Sequence, residues 1–191
     1  MKLLLYCTKR IKRLGLLAKD KVKNKWRLWN GSYNAVNSKI VAECDFEVEE
    51  IISHRNEYET KTLSEFGLCD KSCLTHQQLF DYLKKRSDNE TYLHNGYAIH
   101  IKNLNIFDNP KKLSDFVKSV NKMEVESINK APQSMMYAYS KDFPNVKGYF
   151  ASRQEYVLIS IRPEYLCKIL NGEKTIEVRK KVLKEMLWVK D

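Results

Sequence analysis

Glycine and proline are scarce in this sequence, which has six glycines and four prolines among 191 residues. This scarcity excludes a collagen-like chain and a Pro/Gly-rich low-complexity protein. No apolar run of about 18 residues occurs, so the sequence predicts no transmembrane helix. The apolar stretch at residues 3–7 is interrupted by Thr8, Lys9 and Arg10, which leaves it too short for a signal peptide. The hydrophobic fraction of 43% is nevertheless typical of a folded domain with its own core.

Acidic residues are fewer than basic residues, 24 against 34, and the formal net charge is +10. This excess favours an anionic partner, such as nucleic acid or a phosphate-bearing ligand. It is unevenly distributed. Residues 1–27 contain ten bases and one acid, a net of +9, and residues 168–191 contain seven bases and four acids, a net of +3. Residues 40–70 contain nine acids and two bases, a net of −7. We expect one basic face if the two ends meet in space.

Cysteine is limited to five residues, an odd number, and most of them lie within apolar patterns. This usage is typical of reduced thiols, so we expect a cytoplasmic protein. Cys69, Cys73 and His76 have a spacing that could begin a zinc site, but no fourth ligand is evident nearby. The sequence therefore predicts no metal and no other cofactor.

Alternating apolar and polar residues predict several strands, and residues 40–48 show the pattern most clearly. A helix is expected from Thr75, its cap, to about Lys85, and another after Pro163 that ends at Asn171-Gly172. Residues 9–38 read as a long loop with some helix, residues 112–120 as a helix, and residues 121–130 as loop. Helices and strands are mixed without a βαβ rhythm, so we expect an α+β fold with a mainly antiparallel sheet. The other predicted strands are 2–7, 97–101, 104–107, 135–139, 156–161 and 175–179.

A group of polar residues follows the last predicted helix. Thr175, Glu177 and Arg179 share one face of a strand by period two. The Arg179 fork suits phosphate or carboxylate, Glu177 can hold it in place, and Lys174 at the turn can swing toward the same rim. Two interpretations are open at this point: a solvated amphipathic strand with one Glu–Arg pair, or an anion-binding site. Arg162 precedes the helix, whose N-terminus favours anions.

The pattern Gly172-x-Lys174-x-x-Glu177-x-Arg179 resembles the G-x-K-x-x-E-x-R signature of the ASCH domain, a relative of the PUA RNA-binding fold. Residues 159–165 and 169–172 also resemble the first strand and helix of that family. The match covers about 25 residues. The fold that this resemblance implies is a PUA/ASCH-like, mainly antiparallel β-barrel with flanking helices.

The order of the segments differs from that of the family. In ASCH domains the signature usually opens the domain, whereas only 12 residues follow Arg179 here. Residues 3–8, 39–44, 97–101 and 131–134 resemble later parts of the family in their usual order. The resemblance implies a single domain over residues 1–191 in circularly permuted order, with a barrel body at 1–152 and a strand-helix-strand at 153–191 that carries the signature. The alternative is a degenerate first domain followed by a truncated second one.

The resemblance also implies a function. A basic cleft would bind RNA, a nucleotide or a modified base, with no membrane involved. Some ASCH-like proteins are amidohydrolases acting on acylated cytidine and others are reported as ribonucleases, so a small hydrolase with Lys174 and Glu177 as its catalytic residues is the alternative. A third possibility is a regulator of a nucleic-acid enzyme that binds an acidic protein. The predicted nucleic-acid-binding residues are Arg162, Lys174, Glu177, Arg179, Thr8, Lys9, Gln133 and Ser134. Trp26 and Trp29 lie in the basic segment; we expect one to pack on the fold and leave open whether the other stacks on bases.

Overall fold

The structure is a computed structural model that describes residues 1–9, 15–30, 34–54, 67–85, 93–120, 125–141 and 155–188. The helices in this part of the chain are α1 Leu68–Ser72, α2 His76–Leu83 and α3 Pro163–Leu170, with 3₁₀ turns at Leu113–Asp115 and Lys184–Trp188. The strands are β1 Lys2–Cys7, β2 Leu16–Asp20, β3 Lys25–Trp29, β4 Ile40–His54, β5 Lys84–Lys85, β6 Leu93–Lys111, β7 Phe116–Ser119, β8 Val125–Ser127, β9 Met135–Ser140, β10 Glu155–Ile161 and β11 Ile176–Arg179.

Most of these strands form one large, mainly antiparallel sheet in the order β11-β6-β4-β1-β10-β9-β7-β8, and β5 pairs with β6 off this path. Strands β1 and β10 are the parallel pair, with Lys2 opposite Tyr156 and Cys7 opposite Ile161. The mixed α+β class is therefore confirmed. Among the described strands β11 and β8 are the two ends of an open order, so the structure does not show the closed barrel that the resemblance implies.

Local signals set several of these elements. Pro163 occupies the first turn of α3, and Gly172 has a φ of +75°, the left-handed conformation expected after the helix end. Thr75 caps α2: its Oγ1 accepts a hydrogen bond from the Gln78 N–H, and Gln78 Oε1 accepts one from the Thr75 N–H. The predicted helices at these two places are confirmed.

Three expectations are wrong. The segment read as a loop contains the hairpin β2–β3, a separate two-stranded sheet. The predicted helix at 112–120 is a 3₁₀ turn followed by β7, because Phe116 and Val117 pair with Ser140 and Tyr139 of β9. Residues 121–130 include the short strand β8, which pairs with β7.

The chain divides into two compact units, and each contains part of β4 and part of β6. The first unit comprises Met1–Asp45 and Asn103–Asn171; the second comprises Phe46–Lys102 and Gly172–Asp191. Each unit has a core of its own, and burial of apolar side chains is the main favourable term in the folding of both. The first core contains Leu4, Tyr6, Ile40, Phe116, Ile128, Ala138, Tyr156 and Leu158. The second contains Ile51, Leu68, Leu79, Leu83, Ala98, Ile176 and Val178.

None of the helices in the described part of the chain has the length and apolar character that a membrane span requires.

Candidate functional site

The eight predicted binding residues fall into two groups, one in each unit. The first unit contains Thr8, Lys9, Gln133, Ser134 and Arg162. Lys174, Glu177 and Arg179 belong to the second. We describe each group within its own unit.

The first group gathers where β1 and β10 end and β9 begins. The Thr8 N–H donates to the Ile161 carbonyl over 3.0 Å, which places Thr8 beside Arg162. The Ser160 N–H donates to the Ser134 carbonyl over 2.9 Å on the other side of β10. The strand pairing thus brings residues that are far apart in sequence to one edge of the sheet. We call this group the strand-end edge: Thr8, Lys9, Gln133, Ser134 and Arg162.

The strand-end edge presents mixed polar chemistry to solvent. Lys9, Gln133, Ser134 and Arg162 are exposed. Arg162 is the N-cap residue of α3, with an extended backbone, and its side chain makes no capping hydrogen bond. The edge therefore offers two cations for phosphate, and an amide and a hydroxyl for hydrogen bonding to a base or a sugar.

Two oxygen atoms near this edge are enclosed without a hydrogen-bond partner among the described residues, Thr8 Oγ1 and Glu164 Oε2. Enclosed polar atoms are normally paired, so these two are unusual. Burial, followed by the negative charge of Glu164, raises the pKa of the neighbouring Cys7 thiol to about 12. Cys7 is therefore a neutral, buried thiol beneath the edge rather than a nucleophile.

The second group centres on a buried lysine. Lys174 is 3% exposed. Its Nζ donates to the carbonyls of Ser72 and Ile176, each at 2.7 Å, and lies 3.4 Å from Glu177 Oε2. An ammonium group has three N–H donors, and these three acceptors match them. Lys174 thus joins the end of α1 to β11 inside the second unit, and it does not reach outward to a rim.

Glu177 bridges the two cations of this group. Its Oε1 lies 3.0 Å from Nη2 of Arg179, while its other oxygen faces Lys174. Glu177 is 8% exposed and the Arg179 side chain 14%. Burial lowers the pKa of Lys174, and the nearby Glu177 carboxylate partly opposes this shift. The sequence-based idea that Glu177 holds Arg179 in place agrees with this contact. We call Lys174, Glu177 and Arg179 the buried triad.

Two residues that sequence reasoning did not select lie near the strand-end edge, Asn37 and Glu164. Asn37 donates from Nδ2 to the Thr8 carbonyl, 3.3 Å away, and accepts the Leu17 N–H at Oδ1 over 2.8 Å. Glu164 supplies the enclosed carboxylate atom. Asn37 lies in a polar segment without periodicity, so only long-range contacts reveal its role. Glu164 follows Pro163 in the first helical turn, where an acid is common for helix stability alone.

Among the described residues, no cluster of three or more His, Cys, Asp and Glu side chains has the geometry to hold a metal ion. The thiol of Cys73, one of the residues with zinc-like spacing, donates to the Glu173 carbonyl.

Comparison of the chain with protein-family models, with curated proteins and with solved structures gave no match.

Proposed function

We propose that this protein binds RNA or a nucleotide-type ligand at the strand-end edge. The observation that carries the proposal is the convergence of five residues, selected from three distant parts of the sequence, on one edge of the first unit's sheet. Arg162 and Lys9 contact phosphate, which positions the ligand, and the Gln133 amide and Ser134 hydroxyl contact a base or a sugar. The formal net charge of +10 favours such a polyanion.

The ASCH resemblance belongs to this proposal. A permuted ASCH-like order requires the strand before the signature helix to lie beside residues 3–7. Strand β10 pairs with β1 from Lys2 to Cys7, the whole length of β1. This pairing supports permutation over a truncated tandem. The barrel of the PUA-like fold remains part of the proposal.

A hydrolase function has no comparable support. A lysine acts as a general base only when its nitrogen reaches the reacting proton. Lys174 is buried and its Nζ faces three acceptors, an arrangement that suits a structural role. Its assignment and that of Glu177 as catalytic residues therefore remain sequence-based predictions.

The test is binding of a fluorescent, unstructured 12-nucleotide RNA of mixed sequence by the full chain and by Arg162→Ala. We expect about a tenfold loss of affinity at low salt, because one charge-assisted phosphate contact is removed. Lys112→Ala is the matched control. Lys112 is exposed and lies shortly before β7. Strand β7 pairs with the last residues of β9, with Phe116 opposite Ser140, whereas Ser134 lies just before the first residue of β9. Equal affinity for the wild type, Arg162→Ala and Lys112→Ala, or no RNA binding by the wild type, contradicts the proposal.

A further inference from the structure

The hairpin β2–β3 of the first unit has a preformed turn. The Asp20 carboxylate accepts the N–H groups of Val22 and Lys23 over 3.0 and 3.1 Å, and Asn24 closes the turn with a φ of +50°. These backbone hydrogen bonds, the Lys23 bond first, lower the pKa of Asp20. At the open end, a Cβ on Gly15 would lie 2.7 Å from backbone atoms of Trp29, so only glycine fits there. Contacts within the chain therefore define both ends of the hairpin.

The hairpin is also anchored to the body of the first unit. Asn171, just after α3, accepts the Trp26 N–H over 2.9 Å and donates to the Trp26 carbonyl over 3.0 Å. The Cys167 thiol donates to the same carbonyl. Asn37, which bonds both Thr8 and Leu17, links the hairpin to the strand-end edge. The hairpin and the edge are therefore held in one hydrogen-bonded framework.

The pairing register separates the two faces of the hairpin. Residues directly opposite each other on the two strands lie on the same face of the hairpin. Leu17 is opposite Leu28 and Lys19 is opposite Trp26, so these residues share one face. Trp26 on this face is 7% exposed, which confirms the expectation that one tryptophan packs on the fold. The alternate residues of β3 lie on the other face: Lys25, Arg27 and Trp29, all exposed. We call these three residues the β3 stripe.

The β3 stripe has the spacing and chemistry of a single-strand platform. A strand rises about 3.4 Å per residue, so its members follow each other at steps of about 7 Å. Trp29 is 40% exposed, and Lys25 and Arg27 are exposed cations. Lys21 and Lys23 add two exposed cations at the turn. Asp20 is the acid of the hairpin, and its carboxylate already binds the turn and lies 3.8 Å from Arg27.

We propose that the β2–β3 hairpin binds single-stranded RNA, with Trp29 stacking on a base and Lys25, Arg27 and the turn lysines contacting phosphates. This inference rests on the proposed function and names its ligand class: a chain of several nucleotides with exposed bases, rather than a free nucleotide. A duplex does not fit, because its base faces are covered by stacking. Stacking on an aromatic ring combined with a row of cations is a common way to bind single strands without sequence preference.

The stacking test measures the affinity of Trp29→Ala, Trp29→Phe and Leu28→Ala for the unstructured 12-nucleotide RNA. Trp29→Ala should bind roughly tenfold more weakly, since one base–aromatic stack is lost, and Trp29→Phe should retain most of the affinity. Leu28 lies on the opposite face at 36% exposure, so Leu28→Ala is the control and should bind within twofold of wild type. Equal affinities for Trp29→Ala and Leu28→Ala overturn the proposal.

The phosphate test measures how the affinity of the double variant Lys25→Gln/Arg27→Gln changes with salt. Each phosphate contact to a single strand contributes about 0.7 to the slope of log K against log salt, so the slope should become shallower by about 1.4. Lys112→Gln/Lys130→Gln, two exposed lysines outside the hairpin, is the control with the same charge change. An unchanged slope in the hairpin variant, or the same change in the control, overturns the proposal.

Further probes separate this inference from its alternatives and from the proposed function. Binding of the DNA of the same sequence but not of the RNA, equal binding of duplex RNA, or tighter binding of polyglutamate overturns the assignment to single-stranded RNA. If Arg162→Ala weakens RNA binding and Trp29→Ala does not, the hairpin inference fails and the strand-end edge stands. If Trp29→Ala weakens binding and Arg162→Ala does not, the edge fails and the hairpin stands.

Discussion

Two regions of the molecule are rich in cations. One is the strand-end edge together with the hairpin, and the other is the buried triad; the charges of the two regions differ in their surroundings. In the first unit Arg162, Lys25 and Arg27 are exposed to solvent. In the second unit the Lys174 ammonium is enclosed, and its acceptors are two backbone carbonyls and a buried carboxylate. An exposed cation retains its capacity to bind an anion, whereas a buried one fixes the structure around it. Burial, rather than residue type or motif, therefore separates the proposed binding surface from the buried triad.

The largest expected effect on stability comes from a substitution that breaks the buried triad. Lys174→Met should lower the free energy of unfolding by about 3 kcal/mol, because removal of one partner from a buried ion pair leaves buried polar groups unsatisfied. Chemical denaturation measures this loss. Lys181→Met changes an exposed lysine of the same segment and should alter stability by less than about 0.5 kcal/mol. The RNA affinity of the folded Lys174→Met protein should match that of wild type. A selective loss of affinity with unchanged stability would show that Lys174 belongs to the binding surface.

A smaller effect is expected where the hairpin is anchored. Asn171→Ala removes both hydrogen bonds to the Trp26 backbone and should cost about 1 to 3 kcal/mol, the range for buried groups that lose a partner. Amide hydrogen exchange should show reduced protection in β2 and β3 and little change in the second unit. The Asn171 φ of −89° is ordinary for alanine, so the backbone turn itself is not strained by the change. Protection that falls equally in both units would contradict a local anchoring role.

The smallest effect concerns the thiols beneath the first unit's surface. Burial is the main cause that raises the pKa of Cys7 and of Cys44 to about 12. At pH 8 both should stay protonated, so iodoacetamide should label neither in the native protein while labelling both after denaturation. Peptide mass mapping measures this, with and without the 12-nucleotide RNA. Rapid native labelling of Cys7 would show that the strand-end edge opens to water at its base.

Much of the fold follows from local sequence signals. Period-two alternation predicts the start of β4, and Pro163 and Gly172 mark the limits of α3, because each signal acts within a few residues. The hairpin β2–β3 lacks clear alternation, because apolar residues are consecutive at Leu16-Leu17-Ala18 and at Leu28-Trp29. The signal that would have identified it is the pair Asp20 and Asn24, two turn residues that flank the loop.

The helix expected at 112–120 shows the opposite error. A helical period fits Leu113, Phe116, Val117 and Val120. In the structure, however, Phe116 and Val117 are buried residues of strand β7, which pairs with β9. Pairing with a distant strand overrides such a short local pattern.

The candidate site residues are likewise predictable from the sequence only in part. The signature identifies residues that contact one another, since Glu177 does pair with Arg179. The burial of Lys174 was not predictable, because one of its acceptors is the Ser72 carbonyl, about 100 residues earlier in the chain. The gathering of Thr8, Ser134 and Arg162 likewise depends on strand order, which no local pattern specifies.

The most direct test of the central claim is to map where RNA lies on the protein. The full chain would be crosslinked to the 12-nucleotide RNA carrying 4-thiouridine, and the crosslinked peptides identified by mass spectrometry. We predict crosslinks at the hairpin, around Trp29, and at the strand-end edge, around Gln133 and Arg162. Crosslinks confined to the second unit, on the peptides that carry Lys174 and Arg179, would contradict the account.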